Sequence, residues 1–370
     1  MRRRRLLYIA PFDPTAGGSG SAARARLVLD ALSRQHETHV VHLRSPHDGR
    51  RDEALVGRLA SLTFVDYSRA GYFVWSPSLL RAAKAVLERN RIDFAFAEFE
   101  KAGEYARRLG VPFFYASHNV EFRRSLGLAR GNPARLALVP WLHLLERRAC
   151  RGALATFAIS ETDAVVFRRW APDGRVRVLP MAFDEEVFHP FYEEPEGDSP
   201  VVLMVGNFRY AASREAAIWV RDRLLPAVRA RHPRAVFRFI GGGLPDGFDL
   251  PGVEAPGFVE DLAAEYRRAA VVVAPIVSGG GIKIKVIEAL AMGRFLVATP
   301  KALEGIGTEL EHLAVAPLDR FASEVSRALD LRPGRSEANW RRISARFGAR
   351  TGSRLLLDTL EEALDRISGA

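Results

Sequence analysis

The sequence predicts an α/β protein with two doubly wound, Rossmann-like domains, each a parallel sheet covered by helices. Its length of 370 residues exceeds that of a usual single domain. Short β-rich apolar runs alternate with amphipathic helical stretches, as in parallel sheets with crossover helices. The alternation pauses once, at Phe188–Pro200, a linker rich in Pro, Gly and acidic residues. We therefore expect one domain at residues 1–190 and a second at residues 200–345.

The first domain is predicted to open on a strand and to alternate from there. Its short apolar runs predict strands at Leu6–Ala10, Thr38–Leu43, Leu62–Val65, Phe94–Glu98, Phe113–Ser117, Thr156–Ile159 and Val176–Leu179. The stretches between them predict helices that include Ser21–Arg34, Ser78–Asn90, Pro133–Arg151 and Glu161–Arg169. Ser160, with Asp163 three residues further on, supplies an N-terminal cap for the last helix.

A second alternating series follows the linker. Its predicted strands are Val201–Val205, Ala235–Ile240, Val271–Ala274 and Phe295–Ala298. Its predicted helices are Arg214–Arg231, Asp261–Ala269 and Lys283–Met292. Residues 336–367 read as helices with no strand, and their apolar side chains recur at helical spacing, so the last helix needs a surface to cover. These side chains are Leu355, Leu356, Leu357, Leu360, Leu364 and Ile367.

The composition excludes several classes of protein. The formal charge is +10, but only five of the 54 basic residues are lysines, and the arginines are scattered beside acidic residues. No nucleic-acid-binding motif accompanies them, so a nucleic-acid partner is disfavoured, whereas peripheral contact with an anionic membrane surface stays open. The single cysteine, Cys150, rules out a disulfide within the chain and favours the cytoplasm. No apolar run is long enough to span a membrane.

The segment from Ser278 to Gly293, SGGGIKIKVIEALAMG, carries the clearest chemistry. Gly280 and Gly281 lie in a run of three glycines that lets the backbone pass close to a ligand. Ile282 then leads into a predicted helix, whose first N–H groups suit a diphosphate. Lys283 and Lys285 sit at that helix entry in a chain that almost always uses arginine. Glu288 follows in the first turns, where a carboxylate accepts hydrogen bonds from sugar or ribose hydroxyls.

Candidate residues also follow the predicted strands of the first domain. Gly17, Gly18 and Gly20 come between the first strand and a helix, and His118 ends the strand that begins at Phe113. The carboxyl ends of parallel strands are where ligands bind in such sheets. The glycine spacing is not that of a dinucleotide site. Further acceptor-site candidates near strand ends or loops are Asp13, Arg24, Glu98 and Glu100.

These motifs resemble the GT-B glycosyltransferases of family 4, a retaining family with a Glu, seven residues, then Glu motif. Gly281 and the run Glu288–Gly293 match its later part, and Gly280 stands at its first Glu. The pattern GGG-x-K-x-K-x-x-E is similar to a branch of exopolysaccharide sugar transferases. The resemblance implies that Glu288 holds the ribose of a donor nucleotide. It also implies two domains facing each other across a cleft, with the last helix, residues 346–370, crossing back onto the first domain.

The resemblance extends along nearly the whole chain and implies further roles. Gly206 and Arg209 lie where family members face the donor diphosphate, and Val259 lies in a loop that contacts the nucleobase. The GGSG run resembles the family's glycine loop. His118, in an H-N-V-E segment, is implied to lie at the reaction centre. Lys285 is the second catalytic candidate on other grounds: the family usually has Pro at this position, and a compact ammonium suits a phosphate whose charge grows during the reaction.

The activity implied is transfer of a glycosyl group from a nucleoside diphosphate sugar to a hydroxyl acceptor, with retention. Backbone N–H groups, the helix dipole and lysines would stabilise the leaving diphosphate. We therefore expect no metal ion and no cofactor, and no His or Cys pair has metal-ligand spacing. Two alternatives stay open: a different enzyme on the same scaffold, such as a nucleotide-sugar 2-epimerase or a phosphorylase, and a non-catalytic partner protein.

Overall fold

The computed structural model describes residues 3–17, 20–44, 49–66, 76–129, 133–171, 174–181, 183–192 and 199–368. It divides into two compact units. Unit 1 comprises Met1–Ala182 and Ala349–Ala370, and unit 2 comprises Phe183–Gly348. Residues 193–198 of the predicted linker lie outside the described residues.

Unit 1 contains a sheet of seven strands within its described residues, in the order β3-β2-β1-β4-β5-β6-β7. Every neighbouring pair is parallel. The order reverses direction at β1, which places a switch point between β1 and β4, and ligands bind at the carboxyl edge of such a point. The strands are β1 (Arg5–Ala10), β2 (Glu37–Arg44), β3 (Ser61–Asp66), β4 (Phe94–Glu98), β5 (Phe113–Ala116), β6 (Thr156–Ala158) and β7 (Val176–Val178).

Helices cover both faces of this sheet, because right-handed crossovers lie on one face while the strand order runs from β1 to β3 and on the other once it runs from β4 to β7. Two buried clusters result, one on each side of strands such as β1, where Leu7 and Ile9 face one cluster and Leu6 and Tyr8 face the other. The helices are α1 (Gly20–Gln35), α2 (Glu53–Val56), α3 (Pro77–Arg89), α4 (Phe99–Leu109), α5 (Glu121–Leu128), α6 (Val139–Gly152) and α7 (Glu161–Arg168), with a 3₁₀ turn at Pro133–Leu138 before α6.

Unit 2 holds a second parallel sheet, of six strands within its described residues, in the order β10-β9-β8-β11-β12-β13. Its switch point lies between β8 and β11. The strands are β8 (Val201–Val205), β9 (Val236–Ile240), β10 (Val253–Gly257), β11 (Ala269–Ala274), β12 (Leu296–Ala298) and β13 (Leu313–Val315).

The helices of unit 2 connect these strands. α8 continues through a π-helical turn, Val220–Leu224, into α9, where Pro226 occupies a first-turn position. A π turn is a local widening of the helix and lets α8 and α9 follow the sheet in two segments. The helices are α8 (Ala211–Trp219), α9 (Leu225–Arg229), α10 (Leu262–Arg268), α11 (Ile284–Ala291), α12 (Leu318–Leu331) and α13 (Glu337–Phe347), with a 3₁₀ turn at Pro300–Leu303.

The last helix, α14 (Ala349–Ser368), belongs to unit 1. Leu356, Leu360 and Leu364 are buried in the cluster that includes Leu6 and Tyr8 of β1. The apolar spacing of this segment is therefore satisfied by one face of the first sheet. No helix among the described residues is long and apolar enough to cross a membrane.

Most predicted elements are present with ends shifted by at most two residues, and Ser160 accepts a hydrogen bond from the backbone N–H of Asp163 as a cap. The helix predicted at Pro133–Arg151 begins only at Val139, because Pro133–Leu138 forms the 3₁₀ turn. The helix predicted at Arg214–Arg231 is instead the three-part run from α8 to α9. The prediction omitted α2, α4, α5 and α12, and it omitted the strands β10 and β13. β10 is half-exposed to exposed throughout, so it lacks the apolar run by which a strand was recognised.

Candidate active site

A buried polar cluster lies at the carboxyl edge of the unit 1 sheet, and we call it the histidine site: Tyr8, Arg24, Glu98, Phe99 and His118. Glu98 is the last residue of β4, which pairs with both β1 and β5. His118 follows the end of β5 by two residues. The topology therefore brings together residues up to 110 positions apart, from Tyr8 to His118.

The carboxylate of Glu98 is the centre of the histidine site. His118 Nε2 lies 2.5 Å from Glu98 Oε2, and the Tyr8 hydroxyl donates to Oε1 at 2.6 Å. Arg24 Nη1 lies 3.8 Å from Oε2. Burial would raise the pKa of Glu98, but His118, Arg24 and Tyr8 outweigh it and hold this pKa below its usual value. Burial lowers the pKa of His118. Glu98 is therefore the ionised member of the pair, and burial opposes a positive charge on His118.

The glycine loop lies at the same edge, after β1. Asp13 accepts hydrogen bonds from the backbone N–H and hydroxyl of Thr15 at 2.9 and 2.6 Å and pairs with Arg51 at 2.6 Å. These contacts fix the chain that enters the loop. No atom of the described residues lies within 4 Å of where a Cβ of Gly17 would stand, while the Gly17 backbone bonds to Arg50 and Gly49. Gly20 begins α1, and Gly18 lies outside the described residues.

The remaining acceptor-site candidates of unit 1 are buried. Arg24 is 1% exposed, and its Nε and Nη1 have no hydrogen-bond partner among the described residues, so its guanidinium lies inside the histidine site. Glu100 is 4% exposed in the first turn of α4, and its Oε2 has no partner within the described part of the chain. Burial raises the pKa of Glu100 to about 7. These two side chains do not reach the surface as ordinary charged residues do.

Unit 2 carries a second cluster, which we call the lysine site: Gly206, Ser213, Tyr266, Lys285 and Glu288. The Lys285 ammonium lies 3.1 Å from Ser213 Oγ in the first turn of α8. It also lies 3.4 Å from where a Cβ of Gly206 would stand, just after β8. Lys285 makes no ion pair with any described residue. Burial, followed by the charge of Lys283, lowers the pKa of Lys285 to about 8.

Glu288 is held on the other side of Lys285. The Tyr266 hydroxyl lies 3.0 Å from Glu288 Oε2 and 3.0 Å from the carbonyl oxygen of Lys285. Burial raises the pKa of Glu288 to about 7, against the opposing effects of Tyr266 and Lys285. Glu288 therefore changes charge near neutral pH, within one helix turn of a lysine that does so about one pH unit higher.

The glycine run that leads into α11 is ordered by its own lysine. Lys283 Nζ donates to the carbonyl oxygens of Gly280 and Gly281, at 3.3 and 2.5 Å. A Cβ at Gly280 would meet open space, whereas one at Gly279, where φ is +85°, would lie 2.9 Å from the Tyr210 hydroxyl. Ile282 packs beside Gly305. The structure thus places Lys283 on the loop itself and Lys285 towards β8.

Two further predicted donor residues lie in loops of unit 2. Arg209 is exposed, its backbone N–H donates to Asn207 Oδ1 at 3.1 Å, and its side chain lies beside Gly243. Val259 is half-buried in the turn after β10, next to Phe258, which is 74% exposed. Arg209 lies in the loop that joins Gly206 to the helix of Ser213, whereas Val259 follows a different strand.

A surface groove of about 510 Å³ lies on unit 1, away from the histidine site. It is lined by Arg107, Leu144, Arg147, Arg148, Arg151 and Gly152. Gly152 lies beside the ring of Phe113 at the start of β5, so the groove is at the amino edge of the sheet. The histidine site is at the carboxyl edge. The groove therefore belongs to neither candidate site.

Sequence reasoning missed four members of these sites. Tyr8, whose hydroxyl donates to Glu98, lies inside the first predicted strand and carried no signal of its own. Ser213 and Tyr266 are 72 and 19 positions from Lys285, and no motif links them. Phe99 stacks on the His118 ring at 4.3 Å between centroids. Its position directly after Glu98 at a strand end was the one available signal. No group of three His, Cys, Asp or Glu among the described residues is arranged to hold a metal ion.

Two Rossmann-like parallel sheets followed by C-terminal helices define the class of GT-B proteins, and comparisons with known proteins give the family. The model of Glycosyltransferase Family 4 matches residues 18–187, and the model of Glycosyl transferases group 1 matches residues 199–330. Together the two models match most of the chain. The chain belongs to the GT-B glycosyltransferases of group 1, family 4.

Individual relatives agree with this assignment. D-inositol 3-phosphate glycosyltransferase from Nocardiopsis dassonvillei is 27% identical over 224 residues, which cover 52% of this chain and 51% of that protein. The chain spans only about 37% to 51% of the length of the curated relatives it matches.

Solved structures confirm the fold. Sucrose-phosphate synthase from Thermosynechococcus elongatus is similar with a TM-score of 0.74 and 19% identity, covering 99% of this chain and 100% of that one. HepE of Anabaena, in complex with UDP and glucose, is similar with a TM-score of 0.68 and 14% identity, covering 97% and 100%.

Proposed function

We propose that this protein transfers a glycosyl group, with retention, from a nucleoside diphosphate sugar to a hydroxyl acceptor. The observation that carries the proposal is the Lys285 ammonium, a mostly buried cation that makes no ion pair with any described residue and lies beside the first turn of α8. A desolvated cation near a helix N-terminus favours an anion. A diphosphate supplies that anion.

The chemistry follows from where charge develops. In the transfer, the bond between the anomeric carbon and the diphosphate oxygen breaks, and the diphosphate leaves with the electron pair. The acceptor oxygen forms the new bond, and with retention it enters on the face that the diphosphate leaves. Its proton then has a departing phosphate oxygen within reach. Lys285 and the backbone N–H groups at the start of α11 would stabilise the growing negative charge.

The other predicted residues divide between the two units. We assign donor binding to unit 2, with Glu288 on the ribose, Gly206, Arg209, Gly280, Gly281, Ile282 and Lys283 near the diphosphate, and Val259 near the base. We assign acceptor binding to unit 1, with its glycine loop, and place His118 at the reacting groups. HepE was crystallised with UDP and glucose, which supports UDP as the first nucleotide to test. The cytoplasmic location and a contact with an anionic membrane stay predictions.

A thermal-shift screen with UDP, GDP and their sugars, followed by nucleotide release from the donor that binds, tests this proposal. Lys285→Ala should lower turnover at least 100-fold, as the loss of a preorganised electrostatic contact does. Lys84→Ala is the matched control, since Lys84 is exposed on α3 of unit 1. Equal turnover in both variants would overturn the role of Lys285.

The same reaction mixtures separate the alternatives. An epimerase would change the sugar of the nucleotide without releasing UDP, which proton NMR detects. A non-catalytic partner protein would bind the nucleotide and leave it intact. Release of UDP together with transfer or hydrolysis of the sugar is the outcome that the proposed function requires.

A further inference from the structure

The ring of His118 is held from two sides by consecutive residues. Glu98 accepts from Nε2 at 2.5 Å, and Phe99 stacks on the imidazole face with 4.3 Å between ring centroids and 9° between planes. Phe12 meets both rings edge-on, at 6.2 Å from His118 and 5.8 Å from Phe99. The imidazole therefore has one fixed plane and one fixed edge.

We propose that Glu98 and Phe99 are positioning residues, which fix the tautomer and the plane of His118 so that Nδ1 is the nitrogen presented to a substrate hydroxyl. This inference rests on the proposed function, in which His118 acts at the reacting groups. Neither residue needs to touch the substrate itself.

The tautomer follows from the hydrogen bond. A carboxylate only accepts, so the Nε2 of His118 carries the proton, and in a neutral imidazole Nδ1 is then the acceptor. His118 Nδ1 makes no hydrogen bond to any described residue. In functional sites, the group that accepts a hydrogen bond from one imidazole nitrogen commonly fixes the tautomer of the ring.

Glu98 is itself held in place by side chains other than His118. Tyr8 donates to its other oxygen at 2.6 Å, and Arg24 lies 3.8 Å away on the same side as His118. The charged groups that act on His118 are Glu98, Arg24 and Glu121. The charge of Arg24 disfavours a protonated, positively charged imidazole, whereas the carboxylates of Glu98 and Glu121 favour one. Burial is the largest effect, and the pKa of His118 is lowered.

The backbone of Phe99 adopts an unusual conformation where its ring stacks on His118. Its φ is +70°, in the left-handed region that non-glycine residues rarely adopt. Such a conformation persists only where the surroundings determine it, and it is concentrated at functional sites. Here the chain passes from β4 to α4 without a connecting residue, and the left-handed turn places the Phe99 ring against His118.

The first test is spectroscopic and does not depend on activity. Protein with ¹⁵N-labelled histidine is compared with Glu98→Gln, and His118→Ala assigns the signal. At pH 8, above the ordinary pKa of histidine, we expect wild-type His118 to be neutral with the proton on Nε2. Glu98→Gln should produce a mixture of tautomers, because an amide offers either a donor or an acceptor. A His118 with the proton on Nδ1, or an unchanged tautomer in Glu98→Gln, would overturn the inference.

The second test uses turnover of the nucleotide sugar identified above. Glu98→Gln should lower kcat about 10- to 100-fold, as loss of a supporting partner does, with KM for the donor unchanged. Phe99→Gly keeps the left-handed backbone without strain and removes the ring, so its turnover should fall at least tenfold, whereas Phe99→Tyr should restore it. If Phe99 has only a structural role, the loss of turnover in each Phe99 variant should instead parallel its loss of thermal stability.

A matched control separates strain from stacking. Arg332 also has a positive φ, +43°, at the end of α12 in unit 2. Arg332→Gly relieves backbone strain away from both sites and should leave turnover unchanged. If His118→Ala leaves turnover intact, the proposed role of His118 fails. If it abolishes turnover while Glu98→Gln and Phe99→Gly do not lower it, only the positioning inference fails.

Discussion

The charge of Lys285 should make nucleotide binding depend on pH above neutrality. Burial lowers the pKa of Lys285 to about 8, so its ammonium loses its proton at a pH where an exposed lysine keeps it. The terminal phosphate of UDP is already ionised at pH 7, with a second pKa of about 6. Affinity for UDP is therefore expected to be highest near pH 7 and to fall through pH 8.

The size of the effect follows from the pKa. If only the protonated form of Lys285 binds the diphosphate, the dissociation constant of UDP rises about tenfold between pH 7 and pH 9, which corresponds to ~1.4 kcal/mol. Lys285→Met removes the charge at nearly constant side-chain length. Its affinity should be lower and should lack this dependence, so that any titration of UDP itself appears in both proteins and cancels.

Isothermal titration of UDP at half-unit steps from pH 7 to pH 9 measures this difference. Lys283→Met is a second variant, because the charge of Lys283 contributes to lowering the pKa of Lys285. Its removal should raise that pKa and move the loss of affinity to higher pH. A constant ratio of wild-type to Lys285→Met affinity across the range would refute the reasoning, since it would mean that Lys285 does not titrate there or does not meet the diphosphate.

Three further predictions concern unit 1. His118→Ala should lower kcat while leaving UDP affinity within about 1 kcal/mol, because a residue at the reacting groups acts mainly in the transition state; an unfolded variant in circular dichroism would favour a structural histidine. Burial raises the pKa of Glu100 to about 7, so the folded state keeps a proton that the unfolded state releases above pH 4.5. Stability should thus fall as pH rises from about 4.5 to 7, by up to about 3 kcal/mol, and Glu100→Gln should lack this decline in chemical unfolding; parallel curves would contradict it. Leu360→Ala should destabilise unit 1 by about 2 to 5 kcal/mol through a buried cavity, whereas Asp358→Ala on the exposed face of α14 should change little; equal melting would count against the packing of α14.

The sequence predicts the buried strands well because a parallel sheet covered on both faces leaves continuous apolar runs. Phe94–Glu98 and Val201–Val205 are present with the predicted ends. It fails at α4, because Phe99 starts a helix directly after a strand, with no turn residue to mark the change. The left-handed φ of Phe99 arises from tertiary contacts that no local pattern reports.

The residues of the candidate sites likewise fall into two groups, those that a local sequence signal indicates and those that it does not. Glycine runs, strand-end residues and rare lysines are local signals, and they indicated Gly17, Gly280, Lys285 and His118. The partners of these residues come from other strands and helices. Ser213 reaches Lys285 only because β8 and β11 are neighbours in the sheet. Contacts between residues far apart in the sequence leave no local pattern, so only the structure identifies Ser213 and Tyr266 as site residues.

The placement of α14 in unit 1 has a consequence for synthesis on the ribosome. The sheet face that contains Leu6 and Tyr8 is completed by residues 349–368, which are made after the whole of unit 2. At about 5 to 20 residues per second, unit 2 takes roughly 10 to 30 s to emerge. During that interval unit 1 exposes an apolar face, whereas unit 2 is one continuous segment and is complete before α14 is made. We expect nascent unit 1 to bind chaperones that mask such surfaces until α14 arrives.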